Sequence, residues 1–191
     1  MFTGIITHLG KISKKEDKRL TIKTTRDFLS KVKKGVSVSI NGICLTVVNV
    51  DKPHFQIDFM PETENRTNIK YLKPETIVNL ELPATPISFL SGHIIQGHVD
   101  GTSKLLNIIP SGNSRILKFS VSSTLTKHMV EKGSITVNGV SLTLVETGKN
   151  YFTVGIIPFT WENTMFHILK IGDLVNIEVD ILVKYVKKLL K

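Results

Sequence analysis

The chain has 191 residues, a hydrophobic fraction of 41% and a charged fraction of 21%, an ordinary globular composition with room for one domain or two small ones. No apolar run approaches the roughly 18 residues of a membrane span, and the opening Met1-Phe2-Thr3-Gly4-Ile5-Ile6 lacks the basic and apolar regions of a secretory signal. The net charge of +9 is nearly all lysine, with only four scattered arginines, which favours a solvated surface over a nucleic-acid footprint; the single cysteine, Cys44, excludes a disulfide framework and fits a reducing cytoplasm.

In chain order, Asp27 to Val32 carries a weak helical pattern. Val36-Ser37-Val38-Ser39-Ile40 alternates apolar and polar residues with the period of a strand. Asn41-Gly42 follows as a tight turn, because both residues tolerate positive φ. Leu45-Thr46-Val47-Val48 returns as the second strand of a hairpin. Phe55 to Phe59 and Val78 to Leu82 read as further strands. Pro83 and Pro86 interrupt the stretch from Pro83 to Gly97, the pattern of a linker. Thr124 to Lys132 reads as a helix, with Ser122 or Ser123 as cap and Gly133 as stop. The strand and turn series then recurs: Ser134 to Val137, Asn138-Gly139, Leu142 to Val145, Tyr151 to Ile156 and Val175 to Val179. The tail from Ile181 to Lys191 places Leu182, Tyr185, Val186, Leu189 and Leu190 at helical spacing, with lysines elsewhere. Eleven residues cannot hold a helix alone, so packing against other subunits is expected.

The recurrence is an internal repeat. Asn41-Gly42-Ile43-Cys44-Leu45-Thr46-Val47-Val48 matches Asn138-Gly139-Val140-Ser141-Leu142-Thr143-Leu144-Val145, an offset of 138 − 41 = 97. The register holds to Leu82, with about a third of positions identical. Upstream the offset is 97 − 4 = 93, which aligns Gly4-Ile5-Ile6 with Gly97-His98-Val99. Two copies of one unit, each built of short strands, predict small barrels.

Several residues could carry chemistry. His93 and His98 are flanked by glycines, yet their spacing is a poor zinc signal, and each alone reads as a structural histidine. Ser141 lacks a nucleophile elbow, and the chain has no phosphate-binding glycine loop. The halves differ at matched positions: His98, Ser141 and Asp180 are answered by Ile5, Cys44 and Pro83. That asymmetry predicts one site assembled from unlike halves.

Met1 to Ile6, Asn41 to Val47, Gly92-His93-Ile94-Ile95-Gln96-Gly97-His98-Val99-Asp100-Gly101 and Gly133 to Thr143 together resemble the riboflavin synthase α-chain family, over essentially the whole chain. The resemblance implies an all-β fold of two tandem six-stranded Greek-key β-barrels, at 1–90 and 97–180, plus a C-terminal α-helix at 181–191 that forms a homotrimer. It implies the conversion of two 6,7-dimethyl-8-ribityllumazine molecules into riboflavin and 5-amino-6-ribitylaminouracil, with no metal and no cofactor. Lumazine synthase is a candidate partner. Gly4, Ile5, Ile6, Cys44, Leu45, Thr46, Asp58, Phe59, Met60, Pro61, Glu62 and Thr63 would line one lumazine site. Gly97, His98, Val99, Ser141, Leu142, Thr143, Gly155, Ile156, Ile157, Pro158, Phe159 and Thr160 would line the other, and Lys132 would reach the ligand from another chain. His98 and Ser141 would assist proton transfer, Cys44 and Asp180 would act on the partner molecule, and Phe2 would exclude water. Phe159 departs from the glutamate common in the family. The alternative functions are a non-catalytic lumazine- or flavin-binding protein and a basic barrel that binds nucleic acid.

Overall fold

The structure, a computed structural model, describes residues 1–190. It contains two closed antiparallel barrels of the same topology. The first comprises β1 (His8–Glu16), β2 (Arg19–Lys23), β3 (Ser37–Ile40), β4 (Ile43–Asp51), β5 (His54–Asp58) and β6 (Ile77–Glu81), in the circular order β1-β2-β5-β4-β3-β6. The second comprises β7 (Gly101–Ser111), β8 (Ser114–Ser120), β9 (Ser134–Val137), β10 (Val140–Thr147), β11 (Tyr151–Ile156) and β12 (Leu174–Val179), in the matching order β7-β8-β11-β10-β9-β12. In each, three consecutive strands form a meander and the last strand closes the ring between the third and the first, a Greek-key arrangement.

Alternation explains the inside and the outside. Along β4, Ile43, Leu45 and Val47 are buried, while Cys44 and Thr46 face out. Along β10, Val140, Leu142 and Leu144 are buried, while Ser141 and Thr143 face out. Phe28 and Phe55 fill the first core, and Phe119 and Phe152 stack in the second. The two predicted turns hold: Asn41 and Gly42 have φ of 47° and 79°, and Asn138 and Gly139 have 45° and 81°.

Helices are short. α1 (Arg26–Ser30) is capped by the Thr25 hydroxyl and buries Phe28 and Leu29. α2 (Pro61–Arg66) and α4 (Pro158–Asn163) occupy equivalent places, each started by proline at its first turn. The helix predicted from Thr124 to Lys132 is instead the single turn α3 (Ser123–Thr126). After it, His128 and Met129 donate three residues back, to Leu125 and Thr126, and Lys132 turns to φ 66°. The β-branched Thr124 and Thr126 do not favour a longer helix. α5 (Ile181–Leu189) forms where the tail pattern places it, capped by the Asp180 carboxylate on the Leu182 N–H at 3.0 Å. The Lys191 end of that tail lies outside the described residues.

The barrels meet about a pseudo-twofold axis. A Cβ on Gly42 would lie 2.7 Å from the Gly139 nitrogen, and one on Gly139 would lie 2.7 Å from that of Gly42. Around this contact sits a buried amide network. Asn79 Nδ2 donates to the Asn138 carbonyl at 2.9 Å, and its repeat mate Asn176 donates to the Asn41 carbonyl at 2.8 Å. The same two side chains accept across the interface, Asn79 from the Met165 N–H and Asn176 from the Asn68 N–H. Buried polar groups must be paired, and here pairing them fixes the docking of one barrel on the other.

Candidate functional sites

The two segments leading into the barrels are exchanged. Gly4 precedes the first barrel, yet its carbonyl accepts from the Ser141 N–H on β10 at 2.9 Å. Gly97 precedes the second barrel, yet its carbonyl accepts from the Cys44 N–H on β4 at 2.9 Å. The side chains follow: Ile6 packs on the second core and Val99 on the first. Both glycines require φ near +80°, and a Cβ on either would lie 2.6 Å from the Cβ of Ser141 or Cys44. Phe2 and Ile95 exchange backbone hydrogen bonds where the segments cross.

The exchange revises the expected grouping. Gly97, His98 and Val99 join Cys44 on the first barrel, and Gly4, Ile5 and Ile6 join Ser141 on the second. His98 and Ser141, expected to work together, are thereby assigned to different barrels. The first site is an open cleft of about 450 Å³, within the range of small-molecule pockets. Its walls are Cys44 of β4, Thr63 and Arg66 of α2, the segment from Gln96 to Asp100, and Lys184 of α5. Lys184 is held by Asp100 at 2.6 Å, so the C-terminal helix is tied to this wall.

The second site centres on a histidine the sequence left as structural. His93 Nδ1 lies 2.7 Å from Ser141 Oγ, and its Nε2 lies 3.2 Å from Thr136 Oγ1. Burial holds the imidazole below the ordinary histidine value, and the Asp180 carboxylate opposes this in part. A neutral imidazole bonded to a hydroxyl can take or return a proton through it. Asp180 therefore acts on His93. The only signal for His93 in the sequence was its place after Gly92. A Cβ on Gly92 would stand 2.0 Å from the Thr3 carbonyl oxygen.

The remaining expected residues divide by exposure. Leu45, Phe59, Leu142 and Ile156 turn into the cores and can offer a ligand only backbone. Thr46, Thr143, Met60, Glu62, Ile157 and Phe159 are exposed beside the sites' elements. Asp58 is paired with Arg19 through two hydrogen bonds. Phe2 is 1% exposed and acts as a wedge between the crossed segments. Lys132 is exposed, and its N–H is held by the Leu144 carbonyl. No group of three metal-ligating side chains occurs among the described residues.

The His93 environment has a measurable consequence. The folded state holds the ring neutral below the pH at which an unfolded histidine, near 6.5, takes a proton. Protons then bind the unfolded chain preferentially, so this contribution to stability is lost as pH falls through 6.5 toward the folded value. Glu81 and Glu178, raised by burial, act in the opposite sense and do so equally in the parent and in a His93 variant. His93→Gln is therefore expected to flatten the fall in unfolding midpoint between pH 7 and pH 5.5 relative to the parent chain. An unchanged slope in thermal scans would refute the assignment.

Two crossed barrels with a ligand-sized cleft define a class, and the comparisons agree. The Lumazine binding domain model matches residues 3–83 and again 96–180. Riboflavin synthase of Actinobacillus pleuropneumoniae is 41% identical over 194 residues, covering all of this chain and 90% of that one. Riboflavin synthase of Mycobacterium tuberculosis H37Rv is 40% identical over 202 residues, covering all of this chain and 98% of that one. The crystal structure of LumP complexed with 6,7-dimethyl-8-(1'-D-ribityl)lumazine has a TM-score of 0.85 at 26% identity, over 94% of this chain and 99% of that one. Its riboflavin complex has a TM-score of 0.86 at 27% identity, with the same coverage. The chain belongs to the riboflavin synthase family.

Proposed function

We propose that this chain converts two molecules of 6,7-dimethyl-8-ribityllumazine into riboflavin and 5-amino-6-ribitylaminouracil by moving a four-carbon unit from one to the other. The observation that carries the reading is the pair of repeat-related sites with unlike groups, Cys44 and His98 in one, His93 and Ser141 in the other. Family membership over the whole length supports it. The two products together contain all the atoms of the two substrates, so the donor's loss balances the acceptor's gain without an external oxidant. The C7 methyl protons of the lumazine are acidic, and a base near them yields a stabilised carbanion. In our reading His98, His93 and Ser141 handle those protons, Cys44 and Asp180 orient and polarise the bound rings, and the site segments hold two ring systems in reach. Proximity of that kind can supply about 7–11 kcal/mol of a barrier.

The functional units we assign are 1–90, 97–180 and 181–191. The last would hold a homotrimer: Leu182, Tyr185, Val186 and Leu189 leave α5 with an apolar face exposed by 55% or more. Light scattering should give the mass of three chains, and deletion of residues 181–191 should give a smaller species. In a trimer, the first barrel of one subunit would face the second barrel of its neighbour. Lumazine synthase, as the source of the substrate, is the partner proposed, in the cytoplasm; no described helix is long and apolar enough to cross a membrane.

Purified protein mixed with the lumazine and no added cofactor should release riboflavin at half the molar amount of substrate consumed. His98→Ala and Ser141→Ala should each lower turnover by about 10²- to 10⁴-fold; retention of full turnover in both would refute the proton-transfer roles. The likeness to LumP favours a second reading, a binding protein without turnover. Tight binding with no product would establish that one.

A further inference from the structure

Each exchanged segment is held at two points, one on each barrel. Its carbonyl at Gly4 or Gly97 meets the barrel whose site it lines. Its N–H groups are held by the other barrel, through a buried glutamate. Glu81, at the end of β6 and 4% exposed, accepts from the Thr3 N–H at 2.7 Å, the Thr3 hydroxyl at 2.8 Å and the Gly4 N–H. Its repeat mate Glu178, in β12 and 3% exposed, accepts from the Gln96 N–H at 2.8 Å. A carboxylate in such a place is costly to bury unless it has a task that N–H groups alone reward. Each segment is thus a bridge: the Gly4 N–H, or the Gln96 N–H, on one barrel's glutamate, and the Gly4 or Gly97 carbonyl on the other barrel's site strand.

We propose that Glu81 and Glu178 are positioning residues that act across the barrel interface. Glu81, part of the first barrel, sets the ligand site at Ser141 on the second. Glu178, part of the second barrel, sets the ligand site at Cys44 on the first. Neither glutamate touches the ligand; each acts through the segment it holds. The inference rests on the lumazine-site reading above and adds which residue controls which site.

The two clamps differ in a way that can be tested. Both oxygens of Glu81 receive N–H groups, whereas Glu178 Oε2 is buried with no partner. In Glu81→Gln, the new amide nitrogen must face an N–H of Thr3 or Gly4, donor against donor. In Glu178→Gln, the amide nitrogen can take the place of the unpartnered oxygen while Oε1 keeps its bond. Glu81→Gln should therefore fail as a replacement and Glu178→Gln should succeed.

The chain carries one reporter for each site. Cys44, its one cysteine, lines the first cleft, and Trp161, its one tryptophan, lies on α4 against the second core. Riboflavin is titrated into full-length protein while two signals are read: protection of Cys44 from iodoacetamide, and the ¹⁹F resonance of 5-fluorotryptophan at position 161. Glu81→Ala should raise the half-saturating riboflavin concentration at Trp161 about tenfold or more, the loss of one charge-assisted bond, and leave Cys44 protection within about twofold. Glu178→Ala should do the reverse. Glu81→Gln should follow Glu81→Ala, and Glu178→Gln should stay within about twofold of the parent at both reporters. Should an alanine variant fail to fold, the glutamine pair carries the test. An effect confined to the glutamate's own barrel, or equal at both reporters, would overturn the inference. No response of either reporter to riboflavin in the parent chain would instead overturn the lumazine-site reading beneath it.

Discussion

Asn138→Ala is expected to lower the midpoint of thermal unfolding by roughly 6–12 °C, from a loss of about 3 kcal/mol in a chain of this size. Two physical terms add up to it. Asn138 Oδ1 accepts from the Asn176 N–H at 2.8 Å in a fully buried place, and alanine leaves that N–H without a partner, at about 1–3 kcal/mol. Asn138 also holds φ at 45°, in the left-handed region that asparagine tolerates and alanine resists by roughly 1–2 kcal/mol. Asn138→Gly separates the terms, since glycine accepts the backbone conformation but supplies no amide. Its midpoint should fall between those of the parent and the alanine variant. Equal midpoints for the parent and Asn138→Ala would show that the bond tying the Asn138 turn to β12 does not stabilise the second barrel.

The second large effect is expected from Gly97→Ala, read in turnover. The added Cβ would lie 2.6 Å from Cys44 Cβ and 2.8 Å from the Cys44 nitrogen, both fixed parts of β4. Relief can come only from withdrawing the segment, which breaks the Gly97 carbonyl bond to Cys44 and moves His98 with it. A displacement of about 1 Å at a reacting site can reduce rate by about 10²-fold, and we expect a loss of that order in kcat. Gly35→Ala is the control. Gly35 has φ of +88°, and its Cβ would meet nothing within 4 Å, so it carries the backbone strain without the collision. Similar turnover in the two variants would mean that strain, not the position of the segment, accounts for the loss.

Much of the fold was legible in the sequence. The hairpins at Asn41-Gly42 and Asn138-Gly139 are local, and turn chemistry with period-two alternation sufficed to place β3, β4, β9 and β10. β1 and β2 were not read from alternation, because Lys11, Lys14, Lys15 and Lys23 crowd their outer positions and only Ile12, Leu20 and Ile22 mark the inner face. The helix after Ser122 was read too long, since its apolar spacing matched a helix while its threonines and the positive φ at Lys132 did not. The site was legible in its membership more than in its arrangement. Cys44 and Ser141 stand at matched, outward positions, and the repeat showed that. Which segment lies beside each was not readable, because the bonds from Cys44 to Gly97 and from Ser141 to Gly4 span long stretches of chain and depend on how the barrels dock. His93 was undervalued for the same reason: its partners Ser141 and Thr136 lie more than forty positions downstream.

The crossed segments also set an order of events during synthesis. Domains fold as units and, on the ribosome, N-terminal first. When the first barrel closes with β6, the groove beside Cys44 still lacks its wall, because residues 95–99 come later in the chain. The second barrel meets no such delay. The strip containing Gly4 has already been made when β10 emerges, and it is held ready on Glu81. Ser141 thus has its neighbour waiting as soon as its strand forms. The first half of the newborn chain, by contrast, presents an open groove beside β4 until its own continuation fills it.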